Sequence, residues 1–528
     1  MSTTNTSHPK GLYVLFSTEM WERFNFYGMR ALLVLFLVNA LAFKQDEAAI
    51  LYGGFLGLSY ITTMLGGFIS DRFLGNRNCI LIGGLIMAIG QLFLFSSAST
   101  FDSSIPLATN LMWLGLLFLI FGNGFFKPNI SSMVGDLYDK GDSKLDSAFT
   151  IFYMGINSGA FLGMLICPIV GDVKAPDGTR VVEAFKWGFM AAGTAMMIGT
   201  ISFYFLKNKF IVNPRGEAIG LKPVFSNTSN ENTESEKANF GNSSILLSLL
   251  VFTIGVFCFH YLFQTNIPNP IKDWIYPVIY SAGISLAFLI MTDKTITKIE
   301  RDRILVLYII CFFVIFFWAA FEQAGSSLTF IADQQTDLHI FGIELPPSSI
   351  QNANSFFIIF LAFPFSWIWM KLQKNNLEPN SPTKQAIGLF LLSTGYLIIA
   401  LRVKDLGTDK LNVIWLILLY LLHTMGELCL SPIGLSLVSK LAPKRFSSLL
   451  MGVWFLANAA GYALSGTLGA LLPPNKITPA SVLPTFLGFT IHNLYEFFMV
   501  FVILSGLAAI ILYFLAIGPL KRMMHGIR

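Results

Sequence analysis

The first apolar stretch reads Glu19-Met-Trp-Glu22-Arg23-Phe-Asn-Phe26-Tyr27-Gly28-Met-Arg30-Ala-Leu-Leu-Val-Leu-Phe-Leu-Val38. Two carboxylates and two guanidiniums sit inside a run otherwise suited to crossing lipid. Each charge at the centre of a membrane helix costs about 2.5–3.5 kcal/mol on insertion scales, so four of them are not packing residues. At 3.6 residues per turn, with Glu19 at 0°, Glu22 falls near 300°, Arg23 near 40°, Tyr27 near 80° and Arg30 near 20°, an arc of about 140°. The opposite face is Met, Leu, Val and Phe. One stripe is therefore predicted to face a polar cavity, and the rest lipid or other helices.

The whole chain shares this setting. It is 54% hydrophobic, only 12% charged and has a mean hydropathy of +0.65. Soluble chains carry about 25% charged residues. Apolar runs of bilayer-spanning length recur near 12–40, 48–70, 79–98, 108–134, 146–170, 184–206, 244–264, 274–292, 304–330, 352–371, 384–401, 412–439, 447–472 and 491–516. The expected fold is an all-α polytopic membrane protein with about 14 transmembrane helices, because lipid forbids open sheet. These runs are too long and too apolar for barrel strands.

An even number of spans places both termini on one side. The basic residues choose the cytoplasm: Lys207, Lys209, Arg215, Lys294, Lys298, Arg301, Arg303, Lys371, Lys374, Lys444, Arg445, Lys521 and Arg522 then all lie inside. Lys44, Lys174, Arg180 and Lys410 are among the fewer outside. The net charge of +5 is thus mostly orientation, and nucleic-acid binding has no support. The N-terminus lacks a basic stretch before its apolar run and does not read as a cleaved signal. The five Cys and six His show no metal or redox spacing, so no cofactor is expected.

Six spans, a polar stretch, two spans and six more suggest two pseudo-equivalent halves. The expected division is an N-terminal six-helix bundle over 1–206, a cytoplasmic linker over 207–243, an inserted transmembrane hairpin and connecting loop over 244–303, and a C-terminal six-helix bundle over 304–528. The linker core at 226–237 reads as flexible. The hairpin is expected to pack outside the bundles without a transport role. Two-bundle transporters bind substrate near the midplane and rock to alternate access.

The loop Gly66-Gly67-Phe-Ile-Ser-Asp71-Arg72-Phe-Leu-Gly75-Asn-Arg77 supplies an acid and two bases at a helix end. Asp71, Arg72 and Arg77 are read as a conformational gate. Lys127 lies deep in the fourth long run, Glu322 follows Trp318 in a later one, and Glu427 is central in another, one turn after His423.

These residues together resemble the proton-dependent oligopeptide transporter family of the major facilitator superfamily, nearly end to end. Its first-helix motif appears as Glu19, Glu22, Arg23, Phe24, Phe26, Tyr27 and Gly28, with Phe26 in place of a tyrosine. Its fifth-helix signature appears as Phe152-Tyr153-Met-Gly-Ile156-Asn157-Ser-Gly159. Lys127-Pro128-Asn129, Trp318 with Glu322-Gln323, Glu427 with Ser431-Pro432, and Met451-Gly-Val-Trp454-Phe455 also match. Many bacterial members carry Asn-Pro in the eighth helix of the family fold; here Asn354 is followed by Ser355. The inserted hairpin and the short loop at 402–411 resemble the bacterial branch.

The resemblance implies a proton-coupled symporter of di- and tripeptides, and of peptide-like drugs, acting as a monomer in the bacterial inner (plasma) membrane. Protons are the coupling ion. A dipeptide spans about 7 Å and a tripeptide about 10–11 Å, so a cationic wall facing an acidic one would measure length. The cations are Arg23, Arg30 and Lys127; the acid is Glu427. Tyr27, Tyr60, Asn157, Asn354 and Ser431 would bond the peptide's ends and backbone. Trp318, Trp454 and Phe455 would form apolar side-chain walls. Glu22 is the first candidate proton acceptor, with Glu19 and Glu322 behind it. The alternative is a major-facilitator carrier for another small anion or a drug-like solute, but a drug carrier rarely needs three cations facing one acid, and an anion carrier would need neither Glu427 nor Glu19 and Glu22. A membrane enzyme would need a nucleophile–base pair or metal set that the sequence does not offer, and a channel a lining repeated by symmetry.

Glu22→Gln is expected to abolish uptake driven by a pH gradient while leaving peptide exchange at least partly intact, as measured with labelled dipeptide in vesicles. Normal gradient-driven uptake would place the proton site elsewhere.

Overall fold

Short polar caps start several of the helices. Ser104 accepts from the Leu107 amide with Pro106 behind it, Asn412 accepts from Ile414, and Asn493 from Glu496. Thr297 and Glu300 form a reciprocal capping box. Each satisfies backbone donors that a helix start would otherwise leave bare.

The computed structural model describes residues 7–139, 142, 144–222, 240–264, 268–404, 406–407, 409–475 and 482–527, without the side chains at 146, 431–433 and 435. The helices are α1 (Lys10–Asn39), α2 (Gln45–Ile69), α3 (Asn76–Thr100), α4 (Ile105–Asp136), α5 (Leu145–Gly171) and α6 (Phe185–Phe210). There follow α7 (Asn242–Phe263), α8 (Tyr276–Met291), α9 (Lys298–Phe321), α10 (Ser327–Gln335), α11 (Asn352–Lys374), α12 (Ser381–Lys404), α13 (Val413–Leu441), α14 (Ser447–Gly469), α15 (Leu494–Ile517) and the short α16 (Pro519–Met523). Among the described residues, 13 helical segments are long and apolar enough to cross a membrane. The 30-residue α1, which carries Glu19, Glu22, Arg23 and Arg30, is not in that set; added to it, this helix makes the fourteenth expected span. Two-residue strands pair in loops, among them Thr336–Asp337 beside Leu411–Asn412.

The chain divides into two compact units: Met1–Ala42 with Ile61–Asn227, and Phe43–Tyr60 with Thr228–Arg528. The first part of α2 packs in the second unit, where Gly53 meets the backbone of Tyr462 and Gly466 on α14. Its last part packs in the first unit, where Thr62 Oγ1 donates to the Ile120 carbonyl at 2.9 Å.

In the first unit α1 packs on α5 and α6, and α3 on α4 and α6. The α3–α4 crossing is close because it is made of glycine. A Cβ on Gly83 would stand 2.6 Å from the Gly122 carbonyl oxygen, and one on Gly90 would stand 2.9 Å from that of Gly115. Small residues let helix backbones approach where no hydrophobic drive exists between them in lipid.

In the second unit α12 packs on α13 and α15, α9 on α14, and α11 on α13. The hairpin α7–α8 is more than an appendage. Its α8 lies on α14, and the buried Tyr276 hydroxyl donates to the Ile50 carbonyl of α2 at 2.8 Å. Ile271 and Ile279 fill the spaces over Gly54 and Gly57. Ser248 and Ser285 exchange hydrogen bonds between the two arms.

The linker expected over 207–243 begins as the end of α6 and then a tight turn, with Val212 bridged to Ala218. Its polar core at 226–237 lies outside the described residues.

Gly83→Val should force α3 and α4 apart and cost about 1–3 kcal/mol, the usual range for overpacking. A lowered Tm of the detergent-purified protein checks this; an unchanged Tm would mean that the crossing tolerates a side chain.

Candidate functional site: two buried polar clusters

The first unit holds the ionic cluster expected from the opening stretch. Arg23 Nε lies 2.7 Å from Glu19 Oε1 and 3.0 Å from Glu22 Oε2. Exposure is 1% for Glu19, 0% for Glu22 and 4% for Arg23, so the three share one desolvated site. Two acids around one guanidinium leave a net negative charge, and the ammonium of Lys127 on α4 is close enough to act on Glu22. Arg30, two turns on and buried, holds its guanidinium 4.9 Å from the Tyr27 ring centre. Arg23 thus meets Glu19 and Glu22, Arg30 meets Tyr27 on the same helix, and Lys127 acts on Glu22 from α4.

Helix α5 presses directly on this stripe. A Cβ on Gly159 would meet Arg23 Cβ at 2.9 Å, so the glycine of the Asn157–Gly159 motif sets how closely α5 supports Arg23. Asn157 is buried, and its Nδ2 donates to the Tyr153 carbonyl of its own helix at 2.9 Å.

Asp71 and Arg72 are exposed, Arg72 lying 5.2 Å from the Phe68 ring centre. Arg77 is buried. Its Nε donates to the Ile219 carbonyl at 2.6 Å, and its terminal nitrogens bond Asn208 Oδ1 and the Ile211 carbonyl. It ties the start of α3 to the segment after α6.

The second unit holds the other cluster. Asn354 Nδ2 on α11 donates to Glu427 Oε2 at 2.9 Å and to Thr424 Oγ1 at 3.0 Å. Glu427 is thereby fixed on α13 from a neighbouring helix. Glu322, at the end of α9, accepts from the Tyr52 hydroxyl at 3.2 Å. Tyr60 stacks edge-on with Tyr462, 4.8 Å between ring centres, and Tyr462 in turn meets Trp318 at 5.7 Å. Phe455 joins Tyr60 at 6.5 Å. Trp454 is 3% exposed and lies flat against Gly434 of α13. The Ser431 side chain lies outside the described residues. His423 is buried against Tyr396, 4.7 Å between ring centres, and Gly395.

Four contributors escaped sequence reading. Tyr52, Thr424, Tyr462 and Ser465, the partner of Gln323, are hydroxyls inside apolar runs. That polarity is their only sequence signal, and it does not say which face they occupy.

Carboxylates bracketing a guanidinium in one unit, and an amide-held carboxylate in the other, are buried polar groups inside membrane-spanning helices, which mark function rather than packing. The match to PTR2, the POT family, runs over residues 77–480, more than half the chain. The chain belongs to the POT family. Similar proteins include an uncharacterized transporter YclF of Bacillus subtilis, 34% identical over 479 residues and 88% of either chain. The peptide transporter YePEPT of Yersinia enterocolitica is 32% identical over 90% of each, and a di-/tripeptide transporter of Lactococcus lactis 31% identical over 87% of this chain and 89% of its own. Among solved structures, a POT peptide transporter in complex with alafosfalin superposes with a TM-score of 0.76 at 29% identity, covering 99% of this chain and 97% of that one. Another POT family transporter, in complex with 5-aminolevulinic acid, gives the same TM-score at 28% identity, covering 98% of each. As a POT family member the protein is an integral membrane transporter of the major-facilitator type, and not an enzyme.

Arg23→Ala should be among the most destabilising single changes, about 3–5 kcal/mol, because it strands two buried carboxylates. Replacing Glu19 and Glu22 by Gln in the same protein should restore much of the loss. Thermal unfolding in detergent reads both; equal stability of Arg23→Ala and wild type would mean that the cluster is hydrated and not desolvated.

Proposed function

We propose that this POT family member imports di- and tripeptides together with protons, by alternating access. The observation that carries the reading is the division of charge: guanidiniums and an ammonium on the first unit, Glu427 held by Asn354 on the second. The printed functions of the relatives support the substrate class. A peptide is a zwitterion of nearly fixed length, so one end of it needs a cation and the other an anion.

Its carboxylate is assigned to Arg23, Arg30 and Lys127, where a guanidinium supplies a two-pronged contact and the lysine a movable point charge. Its amine is assigned to Glu427. Tyr27, Tyr60, Asn157, Asn354 and Ser431 serve its ends and backbone, which every peptide shares. Trp318, Trp454 and Phe455 offer apolar surface to its side chains, a promiscuous arrangement that would also admit peptide-like drugs. Asp71, Arg72 and Arg77 belong to the conformational change.

Coupling is assigned to Glu22, with Glu19 and Glu322. An ionised carboxylate pairs with a neighbouring cation, and a protonated one releases it; the cation is then free for the peptide. A charge moving down 100 mV gains about 2.3 kcal/mol, roughly fiftyfold in accumulation. The protein is placed in a bacterial inner membrane as a monomer with both termini cytoplasmic. The basic segments after α6, α8 and α11 support that orientation.

The assignment of peptide ends is tested by binding of Ala-Ala, N-acetyl-Ala-Ala and Ala-Ala-amide to wild type, Arg30→Ala and Glu427→Gln. Wild type should bind the acetylated peptide poorly, because it strands Glu427. Glu427→Gln should narrow the gap between Ala-Ala and its acetylated form, and Arg30→Ala the gap between Ala-Ala and its amide. The reverse pattern would mean that the peptide lies the other way round.

A further inference from the structure

Tyr52 sits in the part of α2 that belongs to the second unit and is fully buried. Its hydroxyl donates to Glu322 Oε2 at 3.2 Å. The contact is shaped from both sides. Helix α9 ends in a tighter turn at Glu322–Gly325, and a Cβ on Gly325 would stand 2.8 Å from Tyr52 Cε2 and closer to Cζ and Oη. Only glycine leaves room for the ring there.

The turn that carries Glu322 is itself held. The Tyr396 hydroxyl of α12 donates to the Ala320 carbonyl at 2.7 Å, and Thr329 Oγ1 to that of Ala324 at 2.8 Å. Gln323 Nε2 donates to the Ala319 carbonyl at 2.9 Å and to Ser465 of α14 at 3.0 Å. Carbonyls released where α9 stops are satisfied, so the turn is a built feature and the Glu322 carboxylate has a fixed place. Tyr52 on α2 bonds the carboxylate itself; other titratable groups touch the adjoining residues of α9, Tyr396 of α12 at Ala320, His423 of α13 at Phe321 and Tyr462 of α14 at Trp318.

We propose that Tyr52 is a positioning residue for proton binding at Glu322, aiming its hydroxyl so that the ionised carboxylate is stabilised and one oxygen is fixed to take the proton. This rests on the reading of Glu322 as part of the proton-coupling set. A hydrogen bond donated to the charged form favours that form. Donation to a charged acceptor in a desolvated place is stronger than between neutral groups. The proton arrives from the outer bulk phase, joins a carboxylate oxygen, and leaves to the inner one; Tyr52 keeps its own proton throughout.

The test uses the full chain in proteoliposomes, with labelled Ala-Ala uptake against external pH and exchange at equal pH. In Tyr52→Phe, exchange should persist, and the alkaline limb of gradient-driven uptake should move up by about one pH unit. Gly325→Ala, which displaces the ring, should move it the same way. Glu322→Gln should lose gradient-driven uptake, and adding Tyr52→Phe to it should change nothing further. An alkaline limb unmoved or moved down in Tyr52→Phe, while Glu322→Gln is uncoupled, overturns the positioning role and leaves Glu322 in place. Loss of exchange in Tyr52→Phe also overturns it, since phenylalanine fills the same space. Normal coupling in Glu322→Gln overturns instead the reading of Glu322 on which the proposal rests.

Discussion

Everything in the first unit is arranged around one desolvated contact, Arg23 between Glu19 and Glu22. Burying an ion is costly enough that a guanidinium and its acids survive in a membrane helix only when they neutralise one another. Two acids exceed one base, and that imbalance gives the cluster chemistry rather than only structure. It brings Glu22 under the electrostatic influence of Lys127 from α4. Helix α5 supports the arrangement through Gly159, where its backbone reaches Arg23 itself. The apolar side of α1 meanwhile packs as any buried helix does, which is why the polar stripe keeps its direction.

The second unit solves the same problem differently. Asn354 donates to Glu427 and Tyr52 to Glu322, an amide and a phenol. Neutral donors hold a carboxylate in place without cancelling its charge.

Much of this was legible in the sequence. Hydropathy marks the spans because lipid tolerates little else, and helix periodicity alone places Glu19, Glu22, Arg23, Tyr27 and Arg30 on one stripe. The resemblance to the POT family rests on motifs whose members meet in space, such as Gly159 with Arg23 and Asn354 with Glu427. Other features carry no one-dimensional signal. The division of α2 depends on which neighbours Gly53 and Thr62 find, and its hydropathy is continuous across that point. The bracing of α2 by Tyr276 and the aim of Tyr52 at Glu322 join residues more than 200 positions apart. Arg77, in the motif read as a gate, bonds Asn208 on α6 and two carbonyls after that helix, which only a fold can reveal.

The central claim is that peptide and proton move together. Proteoliposomes holding a pH-sensitive dye, at symmetrical pH and with no imposed potential, test it most directly. Adding an inward gradient of Ala-Ala should acidify the lumen, and the acidification should vanish in Glu22→Gln vesicles that still exchange the peptide. Peptide entering wild-type vesicles with no change in internal pH would contradict the account.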